Sequence, residues 1–175
     1  GKANQRLAIQ DVLHQGQEIM VQVVKDEIGA KGAGLTTAIS VAGRSLAIEA
    51  NSDKAGISRR VSDEDRKRLK KEMNSLEVAE GHGIIMRTAA ADQDSSTIKD
   101  NKKYVEQLMA KAHERFRQQK GPGLVHQERS LPLRSIRDYV SSTVEEILID
   151  DRDTYEEVRN FCIVVAPEFV SRTKF

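Results

Sequence analysis

The apolar positions of this chain fall into short β-branched runs and longer stripes of helical spacing, separated by glycine, proline and charge. Ile19-Met20-Val21-Gln22-Val23-Val24 is β-rich and partly alternating, which predicts a strand. Gly29 to Gly34 predicts a loop, and Leu35-Thr36-Thr37-Ala38-Ile39-Ser40-Val41 a second strand. The two read as a β-hairpin with a glycine-rich tip. Ahead of them, Ala8 to Leu13 predicts a helical turn that His14-Gln15-Gly16-Gln17 breaks. Ser45 to Glu49 predicts a further short strand, ended by Asn51-Ser52-Asp53.

Helical periodicity takes over at Ser62, an N-cap followed by Asp63-Glu64-Asp65, whose charges complement the helix dipole. Leu69, Met73 and Leu76 then form one apolar stripe, opposite Lys67, Arg68, Lys70 and Lys71. Gly83-Ile84-Ile85-Met86 predicts a strand that ends abruptly in Arg87-Thr88. After a small-residue loop, with Ser96 or Thr97 as the expected cap, a long helix runs from Ile98 to about Gln118. Val105, Leu108, Ala112 and Phe116 line one side of it, and Lys120-Gly121-Pro122-Gly123 stops it. Leu124-Val125-His126 predicts a short strand, and Leu133, Ile136 and Val140 a helix with Pro132 in its first turn. Glu146 to Asp150 predicts a strand, and Tyr155, Val158, Cys162 and Val165 share a face of a last helix that Pro167 ends. From about residue 44 the order is therefore β-α-β-α-β-α-β-α. That alternation predicts an α+β fold with α/β-like rhythm, in which helices cover a mixed sheet. The two-strand start differs, so a boundary is expected near residue 42, giving domains 1–42 and 43–175.

Composition changes this picture little. Hydrophobic residues make up 38% and charged residues 31%, as in an ordinary globular protein. Basic and acidic residues number 28 and 27, for a net charge of +1, so any surface that attracts nucleic acid has to be local. Trp is absent and aromatics are 4%, which leaves few stacking platforms for bases. No apolar run approaches the roughly 20 residues of a membrane span, and no secretory start is present. The single Cys162 suits a reducing cytoplasm.

Chemistry concentrates at two stretches. One is Gly29-Ala30-Lys31-Gly32-Ala33-Gly34, continuing to Gly43-Arg44. It departs from the Walker pattern, because Leu35 rather than Lys-Ser/Thr follows the last glycine, and it opens a strand rather than a helix. Its glycines either serve the turn alone, where positive φ is the physical need, or cradle a phosphate, and Lys31 at the tip is within reach of an RNA backbone. The other is Arg87-Thr88, where a guanidinium fork, a hydroxyl and nearby glycine N–H groups supply what a terminal phosphate needs. Pairing of Arg87 with a carboxylate is the plain alternative.

Catalytic signals are weak. His14, His82, His113 and His126 are widely separated and none has metal-ligand spacing to another or to Cys162. Cys162 sits on an apolar helix face, as a core residue. Asp150-Asp151-Arg152-Asp153 is either a divalent-cation cluster or, preferably, the cap and first-turn acids of the last helix. Two further readings stay open: an enzyme on a small phosphorylated substrate, with Arg87 for binding and the Asp150 cluster for metal, and an interaction scaffold built on the basic helix from Asp63 to Leu76.

Several segments taken together resemble ribonucleases of the E/G family: Gln10-Asp11-Val12-Leu13, Lys31-Gly32-Ala33, Leu35-Thr36-Thr37, Gly56-Ile57-Ser58-Arg59-Arg60, Arg87-Thr88-Ala89, His126-Gln127-Glu128, Arg137-Asp138-Tyr139 and Ile147-Leu148-Ile149-Asp150. The resemblance runs from about Ile9 to Phe175. It implies that residues 1–42 are the C-terminal part of an OB-fold RNA-binding domain and that 43–175 are a sensor of RNA 5′ ends. In that alignment Arg87 and Thr88 match the residues that hold a 5′-monophosphate, and Gly43 matches a backbone contact to it. Ala47 stands where a valine usually packs near the terminal nucleotide, and Lys31 matches a lysine of the RNA-binding domain.

The family's opening barrel strands, with their RNA-gripping aromatics, would precede Gly1. Its metal-binding aspartates, its zinc-binding cysteines and a further pocket arginine would follow Phe175. The resemblance thus implies a recognition portion of a cytoplasmic endoribonuclease of RNA processing and mRNA decay, with no catalytic residue, metal ligand or cofactor of its own. Its magnesium and zinc sites would lie outside this chain, and it would not cleave RNA by itself. The implied partners are single-stranded RNA with a 5′-monophosphate, the remainder of the nuclease chain and other copies in a homo-oligomer.

Overall fold

The computed structural model describes residues 8–175; the start of the expected first domain, before Ala8, lies outside them. The chain is α+β and divides into two compact units, Gly1–Thr37 and Ala38–Phe175.

In the first unit a single helical turn, α1 (Ile9–Val12), precedes an antiparallel pair, β1 (Gln22–Lys25) and β2 (Gly34–Thr36). Val23 faces Leu35, and a bulge between Val23 and Lys25 shifts the register. The expected strand from Ile19 is thus shorter and later, because only Gln22–Lys25 finds a partner in β2. At the tip, Ile28 and Lys31 exchange backbone hydrogen bonds of 3.0 and 3.1 Å, and Gly29 takes the left-handed φ of 58° that closes this turn. Val23, Val24, Ile28 and Leu35 are exposed. With so little apolar surface buried on this pair, amide exchange at Val23 should be much faster than at Ile84, whose N–H is bonded to the Lys54 carbonyl at 2.9 Å. Equal protection at the two amides, measured on the full chain by NMR or mass spectrometry, would contradict this.

The second unit is built on a four-stranded sheet in the order β3 (Ser40–Ala42), β4 (Leu46–Ala50), β6 (His82–Met86), β5 (Ala55–Ile57). The first three are antiparallel neighbours, and β5 runs parallel to β6. The expected strand Leu35–Val41 is therefore two strands: Gly34–Thr36 pairs with β1, while Ser40–Ala42 pairs with β4. Alternation on β4 sends Leu46, Ile48 and Ala50 inward. Beneath them lies α3 (Ser95–Gln118), whose Ile98, Val105, Met109 and Ala112 are buried. Its cap is Asp94, which accepts the Thr97 N–H at 2.7 Å, rather than Ser96 or Thr97. The shorter α2 (Asp63–Ser75) is capped as expected, the Ser62 hydroxyl accepting the Asp65 N–H at 3.1 Å, and buries Leu69.

A second apolar cluster joins α4 (Leu131–Tyr139) to α5 (Arg152–Val165) through Leu133, Ile136, Val158, Phe161, Cys162, Val165 and Phe169. Here β7 (Ile147–Leu148) pairs in parallel with β8 (Thr173–Lys174). The expected strand at Leu124–His126 does not form. Leu124 is exposed, and the Val125 carbonyl accepts from the Arg115 side chain instead of a neighbouring strand. No helix among the described residues is long and apolar enough to cross a membrane.

Candidate phosphate site

β3 and β4 are joined by a turn in which the Gly43 N–H donates to the Leu46 carbonyl at 2.8 Å. The turn is held from below by Asn101 of α3, whose buried Oδ1 accepts the Ser45 N–H at 3.0 Å. The N–H groups of Gly43 and Ser45 are therefore spent inside the fold rather than pointed at a ligand. It is the Gly43 carbonyl that faces the candidate site.

Opposite the turn, β6 continues for one residue past its last pair, the Arg87 N–H donating to the Ser45 carbonyl at 2.8 Å. This fixes the backbone of Arg87 beside Gly43, and Arg87 Nη1 donates to the Gly43 carbonyl at 2.6 Å. Its other terminal nitrogen, Nη2, donates to Asp138 Oδ1 of α4 at 2.6 Å. Both side chains are only about a quarter exposed, 27% for Arg87 and 25% for Asp138. The carboxylate pairing left open by the sequence is thus present.

Thr88 opens the 3₁₀ turn Thr88–Asp92, and its hydroxyl shares a hydrogen bond of 2.9 Å with that of Ser58. Ser58 follows β5 and is placed by its N–H on the Met86 carbonyl at 2.8 Å. Two arginines of α2 brace these loops. Arg66 donates to the Ser58 carbonyl at 2.9 Å, and Arg68 to the carbonyls of Ala91 and Gln93 at 2.6 and 3.1 Å. The basic face of α2 is therefore partly structural, while Lys67, Lys70 and Lys71 stay exposed.

Ala47 is half-buried on β4, and Ile85 is its partner on β6. Gly56 of β5 pairs with the same Ile85 from the other side. The three share one face of the sheet, and by the two-residue period of a strand it is the face from which Arg87 projects. Ile85 is 37% exposed there. Sequence reasoning assigned Ile85 to the strand and gave it no part in the site; an isoleucine one alternation before a polar strand end was the available signal. Lys31 belongs to the other unit, where its side chain is exposed at the β1–β2 tip.

An arginine pair controls the electrostatics. Arg137 grips Asp138 with a fork, Nε to Oδ1 at 2.8 Å and Nη2 to Oδ2 at 3.1 Å. Its Nη1 reaches Glu128 at 2.9 Å and the Ala42 carbonyl at 3.3 Å. Burial raises the Asp138 carboxyl, but the hydrogen bonds from Arg137 and Arg87 outweigh it and hold the group below the usual carboxylate range. Arg44, the residue after Gly43, turns inward. It donates to the Ile136 carbonyl at 3.1 Å, lies 3.5 Å from Glu168 and stacks over Phe169. It anchors the turn to α4 instead of reaching a ligand.

The remaining candidates stay apart from this cluster. Asp151 caps α5, accepting the Thr154 N–H at 2.8 Å, and that bonding holds its carboxyl low. This is the capping role preferred for the Asp150 cluster. Cys162 is fully buried, and burial pushes its thiol up. Among the described residues, no three of His, Cys, Asp and Glu are grouped to hold a metal ion.

Comparison with known proteins points the same way as the motifs. The chain is 38% identical to Ribonuclease E of Haemophilus influenzae over 95% of its length, and 38% identical to that of Escherichia coli K12 over 98%. It is 34% identical to Ribonuclease G of Escherichia coli K12 over 94% of its length. It spans only 18%, 16% and 34% of those three proteins. A model of the Ribonuclease E/G family matches residues 40–175, which takes in the four-stranded sheet, α2 to α5 and every residue around Arg87. The chain belongs to the Ribonuclease E/G family.

Proposed function

We propose that residues 43–175 recognise the 5′-monophosphate of single-stranded RNA, and that residues 1–42 are the C-terminal part of an OB-fold RNA-binding domain. Together they act as the recognition portion of an endoribonuclease of RNA processing and decay, in the cytoplasm, joined to the remainder of the nuclease and to further copies of it. The observation that carries this reading is the adjacency of Arg87 and Thr88 where β6 leaves the sheet, beside Gly43 and an apolar strip of Ala47 and Ile85.

Arg87 spends one donor on Gly43 and one on Asp138, and its remaining N–H groups are available to phosphate oxygens. The Thr88 hydroxyl, now shared with Ser58, rotates to donate to the same group. The first nucleotide packs on Ala47 and Ile85. Lys31, in the first unit, offers an RNA backbone a contact by charge alone. Since Asp151 is committed to capping α5, a metal-assisted enzyme built on the Asp150 cluster gains no support.

A titration with one oligonucleotide bearing a 5′-monophosphate, a 5′-triphosphate or a 5′-hydroxyl tests the reading. Tightest binding of the monophosphate is expected. Equal binding of all three removes the sensor function.

A further inference from the structure

We propose that Arg137 is a positioning residue of the site described above: by gripping both oxygens of Asp138, it keeps Arg87 from closing a fork on that carboxylate and leaves Arg87 open to a phosphate. The inference rests on the 5′-phosphate reading and deepens it. Its parts, Glu128 and Arg137 with Asp138, come from two segments that the reading otherwise leaves without a role, His126-Gln127-Glu128 and Arg137-Asp138-Tyr139.

An arginine and a carboxylate that are free to do so pair through two parallel N–H···O bonds. Arg87 and Asp138 instead share one bond, Nη2 to Oδ1 at 2.6 Å. Occupancy explains this. Arg137 holds Oδ1 through Nε at 2.8 Å and Oδ2 through Nη2 at 3.1 Å, so the fork on this carboxylate belongs to Arg137. The far side of its guanidinium is fixed as well, Nη1 donating to Glu128 at 2.9 Å and to the Ala42 carbonyl at 3.3 Å. At 10% exposure the side chain has little room to turn away.

For Arg87 the arrangement has two effects. Its charge faces a carboxylate already balanced by a second guanidinium, so Asp138 does not neutralise it alone. With one N–H on Asp138 and one on Gly43, its remaining N–H groups stay available. Without the Arg137 fork, Oδ2 would be an unclaimed acceptor beside Arg87, and a second N–H of Arg87 would turn to it. Any phosphate would then have to break a bidentate ion pair to reach the guanidinium. Arg137 therefore sets how much of Arg87 a phosphate can use, and does not choose among phosphates.

The test is Arg137→Lys in the full chain, which keeps the charge but replaces the fork by a point donor. One oligonucleotide is titrated in 5′-monophosphate and 5′-hydroxyl forms at fixed salt. Arg137→Lys should bind the monophosphate about 10-fold more weakly and the hydroxyl form as the parent does. Adding Asp138→Asn should restore the lost preference, because the amide gives Arg87 one acceptor and no charge on which to close a fork. In an Arg87→Ala background, Arg137→Lys should change neither ligand. Arg134→Gln removes a charge from an exposed position of the same helix and should leave the preference intact.

An Arg137→Lys protein that keeps the parent's preference in full overturns the inference. So does a loss that Asp138→Asn fails to restore, which would make Arg137 a brace of α4 and nothing more. A parent that binds both forms alike overturns the sensor reading itself. Leu133, Ile136 and the Arg44 bond to the Ile136 carbonyl keep α4 seated without Arg137, and thermal unfolding checks this. Arg137→Gln takes the place of Arg137→Lys, under the same expectations, if the lysine variant does not fold.

Discussion

Arg87→Ala should weaken binding of 5′-monophosphate RNA by about 10- to 100-fold, because a hydrogen bond to a charged group contributes roughly 1.5–3 kcal/mol. Binding of 5′-hydroxyl RNA should hardly change, since that ligand carries no 5′-phosphate for Arg87 to hold. Lys31→Ala should behave differently. Its side chain stands exposed at a loop tip, so its loss should weaken both ligands alike and reduce the dependence on salt. The structure also bounds the damage Arg87→Ala does to the fold. Asp138 retains both bonds from Arg137, and the backbone bond from residue 87 to the Ser45 carbonyl does not depend on the side chain. What is lost is one donor to the Gly43 carbonyl and one ion pair, so the unfolding temperature should fall by a few degrees at most. A variant that folds normally and still prefers the monophosphate as strongly as the parent would remove Arg87 from the site.

Much of the fold was legible because its cues are local. Ser62 before three acids, the stripe of Leu69, Met73 and Leu76, and the buried spacing of Val158, Cys162 and Val165 each declare a helix within one or two turns. The strands were harder. Ala55-Gly56-Ile57 carries no β-branched run, and it becomes a strand only because β6 offers a free parallel edge. Leu35 to Val41 reads as one strand, yet its two ends pair with different partners. Sequence pattern reports a preference for extended backbone, not the identity of the neighbour.

The site divides along the same line. Arg87-Thr88 was visible as a polar pair ending an apolar run. Asp138, Arg137 and Ser58 reach it across 51, 50 and 30 positions of sequence, and nothing local marks them as its neighbours. Arg44 shows the opposite failure. It stands beside Gly43 in sequence, yet its charge is buried against Glu168 and Phe169 rather than placed beside Arg87.

The largest stability loss is expected from Gly43→Ala, and it comes from packing rather than backbone conformation. The φ of Gly43 is not in the left-handed region, so alanine meets no torsional penalty there. Space is the constraint. An ideal Cβ on residue 43 would overlap Asn101 Oδ1 and lie 2.6 Å from Val105 Cγ2, both on the buried face of α3. Neither neighbour gives way easily. Val105 is fully buried against β4, and Asn101 is held by the Ser45 N–H. If Asn101 turns aside, that N–H is left without a partner in the interior, a cost comparable to the clash itself. Overpacking of this kind costs about 1–3 kcal/mol, so the unfolding temperature should drop by several degrees for a protein of this size. Gly56→Ala is the matched control. It lies in the same sheet, its Cβ would meet nothing within 4 Å, and stability should stay within experimental error of the parent. The turn that Asn101 supports also aims the Gly43 carbonyl at Arg87, so Gly43→Ala should lose 5′-monophosphate preference along with stability, below its own melting range. Calorimetry and the paired oligonucleotide titration together check both effects. A Gly43→Ala protein as stable as the parent would show that α3 can retreat from the turn, and that the close packing beneath Gly43 does not set the geometry of the site.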